Sequence, residues 1–407
     1  MIKRHLEGIC FDEEFGRQMR FISGPRQVGK TTLVRRFLER RGHSHLYFNW
    51  DLRRIRDQYI DDAYFFETDV YDSQKKTRLP WVCLDEIHKM PKWKNILKDY
   101  FDKFENEARF VVTGSARLDM FRKSGDALTG RYFMFQLFPL CLSEAAARSL
   151  PHPLSDESAL NFIQRRLGRA SDQQDALDHL LEYSGFPEPF TTARARFFRR
   201  WQSNMVDQIL REDVRDLTRI FDIENIARLI RQLPARIGSP LSLNALREDL
   251  NVSYTAVRNA LRALQLTFVV FLIPPFHRNV ARALTKEQKA YFLDWTHCSD
   301  PAVRFENYVA VELKTLTALW RDKGLGDFEL SYIRTRDGKE TDFLIVKDDK
   351  PWCLLEAKWK DGPVDGHHYR QAESLGNIPV VQVCCEAKVL KKGDSSVFRI
   401  SAGRFFG

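Results

Sequence analysis

The sequence predicts an α/β protein. A parallel sheet with crossover helices comes first, then a helical stretch, a helix-turn-helix with a following strand, and a second α/β unit. Three observations carry that expectation. Short apolar strands alternate with helical periodicity from Arg20 to about Glu144. The turn Gly24-Pro25-Arg26-Gln27-Val28-Gly29-Lys30-Thr31 lies between an apolar strand and a helix. Two apolar runs, Glu340 to Val346 and Trp352 to Lys358, carry acids at positions that a hairpin would pair.

Composition bounds the rest. With 43% hydrophobic residues and 30 Phe, 12 Tyr and 8 Trp, the chain has the apolar surface to offset ordering entropy, so a disordered protein is excluded. Its 407 residues suggest two to four domains at about 100–200 residues each. The net charge of +9 is spread over 64 basic and 55 acidic residues, which permits a polyanionic partner without requiring one. Seven cysteines without a Cys-x-x-Cys pair argue against a disulfide framework or a zinc site, and a reducing cytoplasm is the expected compartment. The first residues, broken by Glu7, Asp12, Glu13 and Glu14, are not read as a signal peptide. The longest apolar run, Thr267 to Ile273, is too short to span a bilayer, so no membrane partner is expected.

The first strands are expected at Met19–Ser23, His45–Asn49, Trp81–Leu84, Phe110–Thr113 and Tyr132–Leu137. In the glycine-rich turn, Gly24 and Gly29 let backbone amides approach phosphate oxygens, and the helix opening near Lys30 turns its positive end toward them. Lys30 is expected on the β/γ oxygens and Thr31 on Mg²⁺, with Pro25, Arg26, Gln27, Val28 and Thr32 completing the nucleotide contact. The strand Trp81-Val82-Cys83-Leu84 runs into Asp85-Glu86, which suits Asp85 to Mg²⁺ and Glu86 to orienting or deprotonating the attacking water. Thr113, in Thr113-Gly114-Ser115, is placed to sense a γ-phosphate, or simply ends a strand. Arg131 is a candidate for neutralising developing charge, or a surface ion-pair residue.

Those residues, with Leu84-Asp85-Glu86-Ile87-His88-Lys89 and Leu128-Thr129-Gly130-Arg131, resemble the AAA-type ATPases that carry a C-terminal domain of unknown function 4143. The resemblance implies ATP and Mg²⁺ as ligands and a P-loop parallel-sheet ATPase core at 1–144. It also implies a helical lid at 145–235 and a winged-helix module at 236–285. In related signal-transducing NTPases a Gly-x-Pro of the lid contacts adenine, a role that would fall to Pro187 in Gly185-Phe186-Pro187; the other reading of Pro187 is a helix-ending turn. Arg194, Arg196, Arg199 and Arg200 are read as a solvated lid face, or as contacts to a phosphate backbone.

Between Leu243 and Leu250, and again from Ser253 to Leu264, helical periodicity brackets an Asn251-Val252 turn, with Ser242 and Ser253 as N-caps. The second helix would offer Tyr254, Thr255, Arg258, Asn259 and Arg262 to a major groove, or serve only as a packing module.

At the C-terminal end, pairing the two acidic strands about Asp349 sets Asp342 opposite Glu356, with Lys358 on the same face. Like charges so placed call for a cation, and Mg²⁺ or Mn²⁺ would supply one. These residues resemble the PD-(D/E)XK nuclease core, with Glu306 as the helical acid and Thr341 in place of the motif's Pro. The resemblance implies a restriction-endonuclease-like α/β domain at 286–407, either metal-dependent or a fold without activity in which Lys358 neutralises Glu356. Gln371 is read as a solvated helix residue, or as a further polar contact to this site. The function expected is ATP binding and hydrolysis gating a DNA-binding or nuclease-like C-terminal domain. The alternative is a nucleotide-switched binding protein that recruits a partner. DNA, a second copy of the chain and a protein partner all stay open as associates.

Overall fold

The computed structural model describes residues 2–75, 77, 79–114, 128–168, 171–214, 223–277, 287–335, 337–393 and 396–407. The chain divides into two compact units, Leu6–Phe138 and Pro139–Gly407 with Met1–His5. The segments expected as lid, middle module and C-terminal unit therefore fall in the second.

Five parallel strands build the first unit: β1 (Met19–Ser23), β2 (Tyr47–Asn49), β3 (Trp81–Asp85), β4 (Arg109–Thr113) and β5 (Tyr132–Gln136). Their order is β2-β3-β4-β1-β5, so β4 lies between the strand leading into the glycine-rich turn and the strand ending in Asp85. Every residue of β1 and β3 is buried, as continuous apolar runs in a parallel sheet require. The second strand starts at Tyr47 rather than His45, because Ser44–Leu46 forms a 3₁₀ turn. Helix α1 (Lys30–Arg41) follows the glycine-rich turn and stops at Gly42, whose φ of 73° only glycine adopts readily. Helix α2 (Trp93–Phe104) buries Trp93, Ile96, Leu97, Tyr100, Phe101 and Phe104, one face at helical spacing.

The second unit opens with helices that include Ala159–Leu167, Gln174–Tyr183, Pro187–Thr192 and Ala195–Gln208. Helices α3 (Leu243–Leu250) and α4 (Tyr254–Leu266) are capped by the Ser242 and Ser253 side chains, as expected. Strand β6 (Val270–Ile273) begins later than Thr267, because the Thr267 hydroxyl donates back to Ala263 O at 2.9 Å and closes the helix. It pairs antiparallel with β7 (Lys289–Phe292), which lies beyond the boundary expected at 285. Helix α5 (Pro301–Asp322) is capped by Asp300 and carries Glu306 in its second turn. Six strands follow: β8 (Phe328–Arg334), β9 (Glu340–Lys347), β10 (Lys350–Lys358), β11 (Val380–Cys384), β12 (Leu390–Lys392) and β13 (Val397–Ser401). They form one mixed sheet in the order β12-β13-β11-β10-β9-β8, with helix α6 (Gly366–Ser374) between β10 and β11 in sequence. No helix among the described residues is long and apolar enough to cross a membrane.

Candidate functional site

The glycine-rich turn is shaped by its backbone. Gly24 has φ 145° and packs on the Leu137 carbonyl so closely that no Cβ fits, while Gly29, at φ 98°, sets the start of α1. Lys30 is buried, and its Nζ donates to the Gly24 and Pro25 carbonyls at 2.9 and 2.7 Å. The ammonium is thus held beneath the turn, where it would meet phosphate oxygens.

Asp85 ends β3 at 2% exposure and gathers three hydroxyls. Thr31 Oγ1 donates to its Oδ2 at 3.1 Å, the Tyr47 phenol donates to the same oxygen, and Thr113 donates to Oδ1. The sheet order explains this convergence: Tyr47 pairs with Cys83 on one side of β3, and Asp85 with Thr113 on the other. Thr113 also stands level with Ile22 of β1. Beside Asp85, Glu86 adopts φ 59°, a left-handed conformation rare outside glycine. Its carboxylate lies 3.5 Å from His88 Nε2 and 3.7 Å from Lys89 Nζ. Burial, then the Asp85 charge, push its pKa up to about 7. The oxygens of Thr31 and Asp85 are hard donors of the kind Mg²⁺ takes, so the site fits that ion. Tyr47 was not foreseen from the sequence; a Tyr opening a short strand carries no signal that its hydroxyl turns to a carboxylate on the next strand.

Of the two readings of Arg131, the surface ion pair is the one seen, and Pro187 opens a helix rather than ending one. Arg131 precedes β5, and Met19 N–H donates to its carbonyl, so it sits at the start of the parallel strands. The glycine-rich turn leaves the other end of β1, about 16 Å away at 3.3 Å per residue. Arg131 pairs with Asp102 at 2.9 Å over the Phe101 ring and does not face the turn of its own chain. Ser115 lies outside the described residues. In the second unit, Pro187 occupies the first turn of its helix after Phe186. Gly185 is pressed against Trp295, Leu140 and Pro139, where a Cβ would come within 2.7 Å of the indole.

The C-terminal acids meet as the register demands. Leu355 pairs with Phe343, so Asp342 falls opposite Glu356, and cross-strand bonds tie them: Asp342 N–H to Glu356 Oε2 at 3.2 Å, Ala357 N–H to Asp342 Oδ2 at 3.1 Å. Lys358 Nζ lies 2.8 Å from Glu356. Where a second Mg²⁺ or Mn²⁺ is expected, a lysine from outside the motif stands among the acids. Lys289 of β7 places its Nζ 2.6 Å from Glu340, 3.3 Å from Asp342 and 3.7 Å from Glu306. Burial alone would lower its pKa, but Asp342, Glu306 and Glu340 outweigh that and raise it. Burial and the Asp342 charge raise both Glu306 and Glu356. Gln371 is buried rather than solvated: the Thr341 hydroxyl donates to it, and its amide donates to Lys339 O at 3.2 Å. His368 joins the same network, 2.6 Å from Thr341 Oγ1.

On α4, Val257, Ala260, Leu261 and Leu264 are buried, while Tyr254, Thr255, Arg258 and Arg262 are exposed. Arg194, Arg196, Arg199 and Arg200 are exposed too, as expected.

Against known proteins, residues 16–146 match the family described as AAA domain, and residues 174–296 match a domain of unknown function, DUF8612. The latter is not the domain of unknown function 4143 that the motifs resemble, and it ends before α5. Uncharacterized proteins of Mycobacterium tuberculosis and Mycobacterium bovis are each 22% identical over 343 residues, 81% of this chain and 68% of theirs. Among solved structures, the Aeropyrum pernix Orc1 protein in complex with DNA covers 78% of this chain and 91% of its own at 16% identity, with a TM-score of 0.28. AMPPCP-bound DnaA from Aquifex aeolicus covers 60% and 81% at 14% identity, with a TM-score of 0.29. Likenesses at those scores carry no functional argument. The first unit, with its parallel sheet and glycine-rich turn, has an AAA-type core.

Proposed function

We propose that the chain binds and hydrolyses ATP in its first unit, and that the nucleotide state governs what the second unit does. The observation carrying this reading is Asp85, buried at a strand end with Thr31, Thr113 and Glu86 around it and the Lys30 ammonium beneath the glycine-rich turn. Lys30 and the amides of the turn hold the phosphates; Mg²⁺, when bound, neutralises phosphate charge beside Thr31 and Asp85. Glu86, beside those residues, takes the proton of the attacking water. Thr113 contacts both Asp85 and the strand leading to the turn, which suits it to report the γ-phosphate. Lys30→Ala tests the first half: calorimetric ATP affinity is expected to fall at least about tenfold. Unchanged affinity would remove the basis for the reading.

For the second unit, partner binding is better supported than metal-dependent cleavage, because Lys289 and Lys358 already compensate the acids a metal would need. In this reading α3, α4 and the β6–β7 hairpin act as a winged helix, and the exposed Tyr254, Thr255, Arg258 and Arg262 suit a DNA groove. The restriction-endonuclease-like sheet serves as a recruiting surface, and Pro187 is kept as a candidate adenine contact.

A further inference from the structure

Three carboxylates, from α5 and β9, converge on one nitrogen. Glu340, Asp342 and Glu306 stand 2.6, 3.3 and 3.7 Å from Lys289 Nζ, and the Lys289 side chain has no exposed surface. The lysine is covered, while the three carboxylates keep 15–22% exposure. Gly238 lies against the Glu306 carboxylate so tightly that a Cβ would come within 2.6 Å of Oε2. Pro240 bridges to Lys289, and Leu241 N–H bonds Gln288 O at 2.8 Å. The Tyr291 hydroxyl donates to Glu306 at 2.8 Å, and Asn307 of α5 clamps both backbone groups of Phe292. Strand β7 is therefore fastened to the helix that carries one of the acids.

The two shorter distances are those of N–H···O contacts and the third, to Glu306, is that of a looser ion pair. Mg²⁺ would need oxygens at about 2.0–2.1 Å in near-octahedral array, with waters completing the shell. Three partly buried carboxylates this close repel one another, and a cation among them relieves that repulsion. We propose that Lys289 is the resident cation of this pocket: its ammonium takes the place a divalent ion would hold in a metal-dependent hydrolase, and the second unit takes no catalytic metal while that side chain is there. The inference deepens the partner-binding reading of the second unit and is independent of ATP hydrolysis.

The test is Mn²⁺ binding to the full-length, nucleotide-free chain, read by the electron paramagnetic resonance of free Mn²⁺, in an Asp85→Asn background that silences the phosphate site. The Lys289-containing chain is expected to show no binding that Asp342→Asn removes, and Lys289→Arg the same. Lys289→Met is expected to gain one Mn²⁺ per chain at least about tenfold tighter than background, lost again with Asp342→Asn. Binding by the Lys289-containing chain that Asp342→Asn abolishes would overturn the proposal, and so would a folded Lys289→Met chain that takes no ion. Should Lys289→Met fail to fold, Lys289→Met with Glu340→Gln and Asp342→Asn is expected to recover folding, because the uncompensated charge is gone; failure of that rescue also counts against it. ATP turnover separates the two questions, since loss of the Mn²⁺ result leaves the ATP reading standing.

Discussion

Asp85 and Glu312 are buried carboxyl groups with different surroundings. Asp85 is surrounded by hydroxyls that ion binding would rearrange. Glu312, 2% exposed, accepts from the Tyr308 hydroxyl at 2.7 Å and from Leu142 N–H, and burial pushes its pKa up to about 8. The folded chain keeps a proton on Glu312 that the unfolded chain releases near its ordinary pKa. Its contribution to stability is thus full below about pH 4.5 and is lost as pH rises through about 8. Glu312→Gln keeps the shape and cannot ionise. Urea denaturation at pH 5 and pH 9 is expected to show the variant gaining roughly 2–4 kcal/mol relative to wild type at the higher pH, from 1.36 kcal/mol per pKa unit. An equal difference at both pH values would mean that Glu312 does not carry the shift.

At the scale of elements, local patterns were legible and distant pairings were not. Alternation and turn residues place all five strands of the first sheet within a residue or two; counting from Asp349 reaches the Asp342–Glu356 pairing, but the turn pairs Lys347 with Lys350 and a bulge between Pro351 and Cys353 restores that register. Lys289 escapes such counting because it reaches the acids from β7, whose strand pairing is with β6 rather than with β9. Arg131 keeps two readings in the sequence for a related reason: its motif says nothing of which end of the sheet it occupies, and that follows only from the parallel register with β1. Gln371 and His368 look like surface residues of a polar helix, yet α6 turns them onto Thr341. The clamp that holds β7 on α5 is open to measurement. Asn307→Ala leaves Phe292 N–H and C=O buried without that partner and is expected to cost about 2–4 kcal/mol at equilibrium. A loss below about 0.5 kcal/mol would show that the clamp is dispensable.

Across the whole molecule, the modest basic excess says little, and function follows from where particular groups are buried. One unit gathers a glycine-rich turn, a lysine, a carboxylate ringed by hydroxyls and a glutamate in the left-handed conformation. The other gathers carboxylates that its own lysines neutralise. The central claim is that the first unit turns over ATP through Glu86. Its most direct test is the steady-state hydrolysis rate of wild type and Glu86→Gln at saturating ATP and Mg²⁺, with ATP affinity measured on the same samples. The account predicts turnover by the wild type, a fall of at least about a hundredfold in the variant, and little change in affinity. Hydrolysis by Glu86→Gln at the wild-type rate, or a wild type that binds ATP without turning it over, would contradict it.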